Sequence, residues 1–194
     1  MTTKTHDIEE PLSPRDKLIQ TFQSEQLTKE EIIQMDLGRM AYHEAGHIIV
    51  ARHFGLEARA KLWPNDSNLE INKSVAGAMC FNIYSDKYQR NRTDFRLATV
   101  GYAGVIAEGI WDGGIEWENQ SECDIEDWWQ MKIMPWENDL IVFEGMSETD
   151  VQCAAKHPQS RRAVKVAANI LRRRKKEFLD EVECLKAEFH KAFN

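Results

Sequence analysis

Several common protein classes are excluded by what the chain has little of. Its 194 residues hold 4 cysteines, Cys80, Cys123, Cys153 and Cys184, with no CxxC pair among them. That excludes a cysteine zinc ribbon and argues against a disulfide framework at this length, so a reducing, cytoplasmic compartment is expected. Positive charge is short: 25 Lys+Arg against 32 Asp+Glu leave a net −7. A phosphate-neutralising face, and with it a nucleic-acid partner, is not expected. No apolar run approaches the roughly 18 residues of a bilayer span, and Ile48-Ile49-Val50-Ala51 is stopped by Arg52. Met1 to Glu10 is polar, without the apolar core of a signal peptide, so no membrane insertion is expected. No GxxxxGK[ST] phosphate loop occurs to cradle ATP. The 42% hydrophobic and 29% charged residues rule out bulk disorder and leave one globular domain as the natural solution.

The order of local signals predicts a mainly α fold with a small antiparallel β-sheet. Residues 1–26 read as a flexible arm in which Leu12, Leu18, Ile19 and Phe22 form one short docking helix, and residues 27–194 read as the domain. Thr28-Lys-Glu-Glu31 has the form of a capping box, and apolar residues then recur at helical spacing from Ile32 to Phe54, with Gly55 as the stop. Ala58 to Trp63 and Ala76 to Tyr84 are β-prone, with Pro64-Asn65-Asp66-Ser67-Asn68 as the turn between them. A second helix is expected from Thr93 to Ile110, ended by Asp112-Gly113-Gly114. A third is expected from Ser121 to before Pro135, and a long helical stretch from Pro158 through Leu171 to Phe193.

Within the first helix lies His43-Glu44-Ala45-Gly46-His47, an HExxH pattern. Residues i and i+4 are about 40° apart around a helix and about 6 Å apart along it, so both imidazoles can reach one ion from one face. Zinc brings a coordinated water to a pKa near about 7. Glu44, one step after the first histidine, is then placed as general base, taking the water's proton and returning it to the leaving amine. Two histidines with no metal are the bland alternative, but burying such a pair unpartnered is costly.

A catalytic zinc usually takes three protein ligands and keeps one open position. Chemistry alone offers Glu108, Asp112, Glu116, Glu118, Glu122, Asp124, Glu126 and Asp127 as the third, with His53 and His157 lacking spacing support.

The string Ala41-Tyr42-His43-Glu44-Ala45-Gly46-His47-Ile48-Ile49-Val50-Ala51 resembles the zinc helix of the FtsH-type family of ATP-dependent metalloproteases. Gly101-Tyr-Ala-Gly-Val-Ile-Ala-Glu-Gly109 is similar to that family's Gly-Gly-Arg-Ala-Ala-Glu-Glu helix. Ser121-Glu-Cys-Asp124-Ile125 falls where the family carries its third zinc ligand. Gly145-Met146-Ser147 and the segment from Ala168 resemble further landmarks, so the likeness spans roughly residues 27 to 190. It implies a zincin-like FtsH peptidase fold, Zn2+ held by His43, His47 and Asp124, and a zinc-dependent endopeptidase. The expected substrate is a flexible or unfolded polypeptide, because no ATPase module accompanies the domain in this sequence. It is compatible with a homo-oligomer, since relatives form rings to which their ATPase modules contribute, or with a separate partner protein. Departures are Glu118-Asn-Gln-Ser-Glu122 in place of Thr-Thr-Gly-Ala, Cys123 beside the ligand, and Pro135 in the following helix. Ser121-x-x-Asp124 is also a capping pattern, a role compatible with facing a metal. The alternative to turnover is a catalytically silent zinc-containing interaction module, against which the presence of Glu44 speaks.

Val75-Ala-Gly-Ala-Met-Cys-Phe81 sits where the family has a substrate-pairing edge strand; a hairpin strand that only covers the core is the other reading. Five of the 6 tryptophans, Trp111, Trp117, Trp128, Trp129 and Trp136, cluster in sequence, and core packing is favoured over a docking face. Arg172-Arg-Arg-Lys-Lys176 reads as a solvated charge face paired with the acids after it.

Overall fold

Thr28 opens the helix around which the other elements are arranged. The computed structural model describes residues 12–22, 27–65, 74–82, 95–117 and 159–193. The Thr28 backbone N–H donates to Glu31 Oε2 at 2.6 Å and the Glu31 N–H donates to Thr28 Oγ1 at 3.3 Å, the reciprocal capping box. Helix α2 then runs Lys29–His53 and ends before Gly55. Ahead of it lies the short helix α1, Pro14–Thr21. Ser13 caps α1 through the Asp16 N–H, and Pro14 occupies the first turn, where its missing donor costs nothing. Leu18 packs on the core, while Leu12 and Ile19 stay exposed.

Nearly every residue of α2 from Met35 to Ala51 is buried, on all sides rather than along one stripe. A helix apolar all round belongs inside, and α2 packs against α3, both strands and the C-terminal helices. Helix α3 spans Phe95–Trp111. It approaches α2 closely at Gly46, where a Cβ would stand 2.5 Å from the Ala103 carbonyl oxygen. Glycine there lets the two backbones meet, which brings residues 100–108 of α3 against the histidine turn of α2.

Strands β1, Glu57–Pro64, and β2, Val75–Asn82, pair antiparallel from Glu57↔Asn82 to Pro64↔Val75. These bounds lie within two residues of those expected from composition. Asp36, buried on α2, accepts from the Ser74 N–H at 2.8 Å and the Ser74 hydroxyl at 2.5 Å, which pins the start of β2 to the central helix. Of the expected turn from Pro64 to Asn68, Pro64 belongs to β1 and the Asn65 N–H donates to the Ser74 carbonyl at 2.7 Å, whereas residues 66–68 lie outside the described residues.

The C-terminal stretch is two helices rather than one: α4, Ser160–Arg173, and α5, Lys175–Phe193. The chain breaks at Arg174, whose guanidinium donates to the Ile49 carbonyl at 3.1 Å and also pairs with Glu177. The basic run is therefore partly structural rather than a solvated face. Arg172 donates to the Glu116 carbonyl at 3.0 Å, and the Lys175 ammonium lies 5.1 Å from the Trp117 ring centroid. Trp111 is buried, with Tyr42 between it and Phe178 at 5.2 Å from each, and Trp117 lies 5.5 Å from Phe178. These two tryptophans are packing residues, as expected; Trp128, Trp129 and Trp136 lie outside the described residues, as does the helix expected from Ser121. The described residues thus form a mainly helical fold of five helices with one two-stranded antiparallel sheet.

Candidate metal centre

His43 and His47 lie one helical turn apart on the most buried stretch of α2, at 3% and 1% exposure. Their Nε2 atoms face each other 3.0 Å apart, with the ring planes at 80°. Each Nδ1 is engaged elsewhere. That of His47 lies 2.7 Å from the Val100 carbonyl oxygen, and that of His43 lies 2.7 Å from Glu108 Oε1. A carbonyl only accepts, so His47 Nδ1 carries a proton.

Burial alone would push the Glu108 carboxyl upward. The hydrogen bond from His43 and the Arg39 guanidinium, 3.3 Å from Glu108 Oε2, oppose it and hold the group below the usual carboxylate range. Glu108 is therefore an ionised acceptor, and His43 Nδ1 is the donor. In the neutral rings both lone pairs then lie on the facing Nε2 atoms.

This arrangement fits a metal. Two nitrogens each about 2.0–2.1 Å from one zinc at a tetrahedral angle are about 3.3 Å apart, and the observed 3.0 Å is within a few tenths of that. Orienting acceptors behind both imidazoles are the usual support of metal-binding histidines. Glycine at position 104 lets α3 lie directly against both rings. A Cβ at Gly104 would stand 2.5 Å from His47 Nε2 and 2.7 Å from His43 Nε2.

Glu44 is buried beside the pair and turned towards the sheet, where a Cβ at Gly77 of β2 would lie 2.7 Å from its Oε1. The HExxH reading and the strand reading meet at this contact, because β2 crosses directly over the glutamate.

The third-ligand candidates separate. Glu108 contacts His43 on the nitrogen turned away from the facing pair, so it orients a histidine and does not join that pair as a ligand. Asp112 sits beyond the end of α3, 4.0 Å from Arg15. Glu116 is exposed, and His53 is exposed at the end of α2 with its ring against Phe54. Asp124, Glu118, Glu122, Glu126, Asp127 and His157 lie outside the described residues. Among the described residues no group of three His, Cys, Asp or Glu side chains is gathered as a metal site.

Arg39, Val100 and Gly104 were not signalled by the motif. Arg39 lies four residues before His43, the i, i+4 spacing that puts two side chains on one helix face, and this was the available clue. A backbone carbonyl such as that of Val100 leaves no trace in residue identity.

No family model, curated protein or solved structure matches the chain.

Proposed function

We propose that the chain is a zinc-dependent endopeptidase acting on flexible or unfolded protein segments. The observation that carries this reading is the pair of buried Nε2 atoms 3.0 Å apart, each imidazole held from behind by an acceptor, with Glu44 next in sequence. His43, His47 and Asp124 would hold the ion, and the sequence likeness to FtsH-type peptidases supports Asp124 as the third ligand and a zincin-like fold. Zinc, when bound, supplies a Lewis acid that polarises a carbonyl and brings water to a pKa near about 7.

The chain's own residues do the rest. Glu108 and the Val100 carbonyl keep both Nε2 lone pairs aimed at one point. The Glu44 carboxylate accepts the proton of the attacking water and delivers it to the departing amine. The Leu62 and Gly77 side of the sheet covers Glu44, limits water around it and so strengthens its electrostatic interactions. No helix among the described residues is long and apolar enough to cross a membrane.

The test is digestion of an unfolded protein such as reduced casein by the unaltered chain and by Glu44→Gln. The reading predicts cleavage that a zinc chelator abolishes, and a Glu44→Gln protein that retains zinc and does not cut. A zinc-loaded chain that cleaves no unfolded substrate would instead identify a silent zinc module.

A further inference from the structure

The neutral His43 ring has two tautomers, and only one of them leaves a nitrogen for an ion. His47 has no such choice, because its Nδ1–H is donated to the Val100 carbonyl and its Nε2 keeps the lone pair. With the His43 proton on Nδ1, Glu108 accepts it and the two Nε2 lone pairs face each other. With the proton on Nε2, His47 Nε2 accepts it across 3.0 Å, an ordinary hydrogen-bond distance. Both metal-binding nitrogens are then consumed by one bond between the rings. The separation that suits a shared ion therefore also suits a closed pair that binds nothing.

In the closed pair the Nδ1 lone pair of His43 would face a carboxylate oxygen at 2.7 Å, two acceptors with no proton between them. The closed pair is disfavoured only while Glu108 stays in place. Its side chain is 24% exposed and free to turn to water unless held. Arg39 holds it. Nη1 of Arg39 lies 3.3 Å from Oε2 while Oε1 takes the His43 proton, so each carboxylate oxygen has its own donor. Arg39 and His43 are one turn apart on α2, so both face Glu108 on α3. The arginine side chain is only 18% exposed, and a guanidinium is effectively always charged.

We infer that Arg39 is a positioning residue: by fixing the Glu108 carboxylate it keeps the His43 proton on Nδ1 and so keeps the histidine pair open. This goes beyond the HExxH motif, in which position 39 has no part. It rests on the endopeptidase reading only for the identity of the ion that enters the pair.

The experiment uses the full chain, first freed of metal, at mildly alkaline pH with neutral imidazoles. Long-range proton–nitrogen NMR of the rings separates an N–H from a lone-pair nitrogen. The parent is expected to carry the His43 proton on Nδ1. In Arg39→Met it moves in a measurable fraction of molecules to Nε2, whereas Arg39→Lys keeps it on Nδ1. Competition with a coloured chelator then reads zinc affinity. Arg39→Met is expected to lose about tenfold, the lower end of the effect of an outer-shell partner, and Arg39→Lys to recover most of that. The decisive comparison repeats Arg39→Met in a Glu108→Gln background. There Arg39 draws the amide oxygen and turns the amide N–H towards Nδ1, so removing it costs no further affinity. An equal loss in both backgrounds, or a His43 proton that stays on Nδ1 in Arg39→Met, overturns the inference. Thermal midpoints accompany each variant, and Arg39→Gln replaces Arg39→Met if the latter does not fold. A parent chain that holds no zinc overturns the peptidase reading alone, because the ring signature is read without metal.

Discussion

The Nδ1–H of His43 and the Glu108 carboxylate meet at 2.7 Å across the contact between α2 and α3, with Arg39 on the carboxylate's other oxygen. This pairing sets which His43 nitrogen is left to bind. Glu108→Gln keeps the shape but loses the charge and can present its amide to the ring in the wrong sense. The expected outcome is a folded protein whose zinc affinity, measured by competition with a coloured chelator, falls about 10- to 100-fold.

Gly104 is expected to tolerate no side chain. A methyl there would stand within 2.7 Å of both Nε2 atoms. Gly104→Ala must displace a ring or separate α2 from α3, and overpacking of this kind costs about 1–3 kcal/mol. Urea melts should show that loss, and the purified variant should contain far less zinc than the parent.

Asp36 is expected to hold β2 over Glu44. It is buried at 1% exposure and accepts both the backbone and hydroxyl hydrogens of Ser74. Asp36→Ala leaves the Ser74 N–H without this acceptor. The expected destabilisation is about 3 kcal/mol, since hydrogen bonds to a charged group contribute about 1.5–3 kcal/mol each. Chemical denaturation measures it, and casein cleavage should fall as the strand loosens.

The mainly α outline, the capping box at Thr28, the two strands and the histidine pair were all legible from residue order. Each rests on a local pattern: a cap, a β-prone run beside turn residues or an i, i+4 spacing. Roles that depend on which side of a ring faces which helix were not legible. Glu108 stood among the ligand candidates because spacing cannot tell a carboxylate in front of an imidazole from one behind it. The break at Arg174 was missed for a related reason, because the residues around it are good helix formers and the interruption coincides with a tertiary bond to the Ile49 carbonyl. Asp124 was singled out from the other acids only through the segment's resemblance to a family.

Alkaline pH supplies a further check. Burial, aided by the nearby Glu183 charge, pushes the Tyr42 hydroxyl up from 10.0 to about 12. The folded state therefore favours the protonated phenol. Its contribution to stability is complete below pH about 10 and is lost as pH rises towards about 12. Stability of the parent minus that of Tyr42→Phe, followed by urea melts across this range, should decline with rising pH. A flat difference would mean that Tyr42 ionises as freely folded as unfolded.

The most direct measurement is anomalous X-ray scattering at the zinc edge, from crystals of protein purified without added chelator. The account predicts one zinc per chain, bonded at about 2.0–2.1 Å to Nε2 of His43, Nε2 of His47 and a carboxylate oxygen of Asp124, with a fourth position not taken by a side chain. A protein without zinc between the two imidazoles, or with the fourth position filled by another residue of the chain, would contradict it.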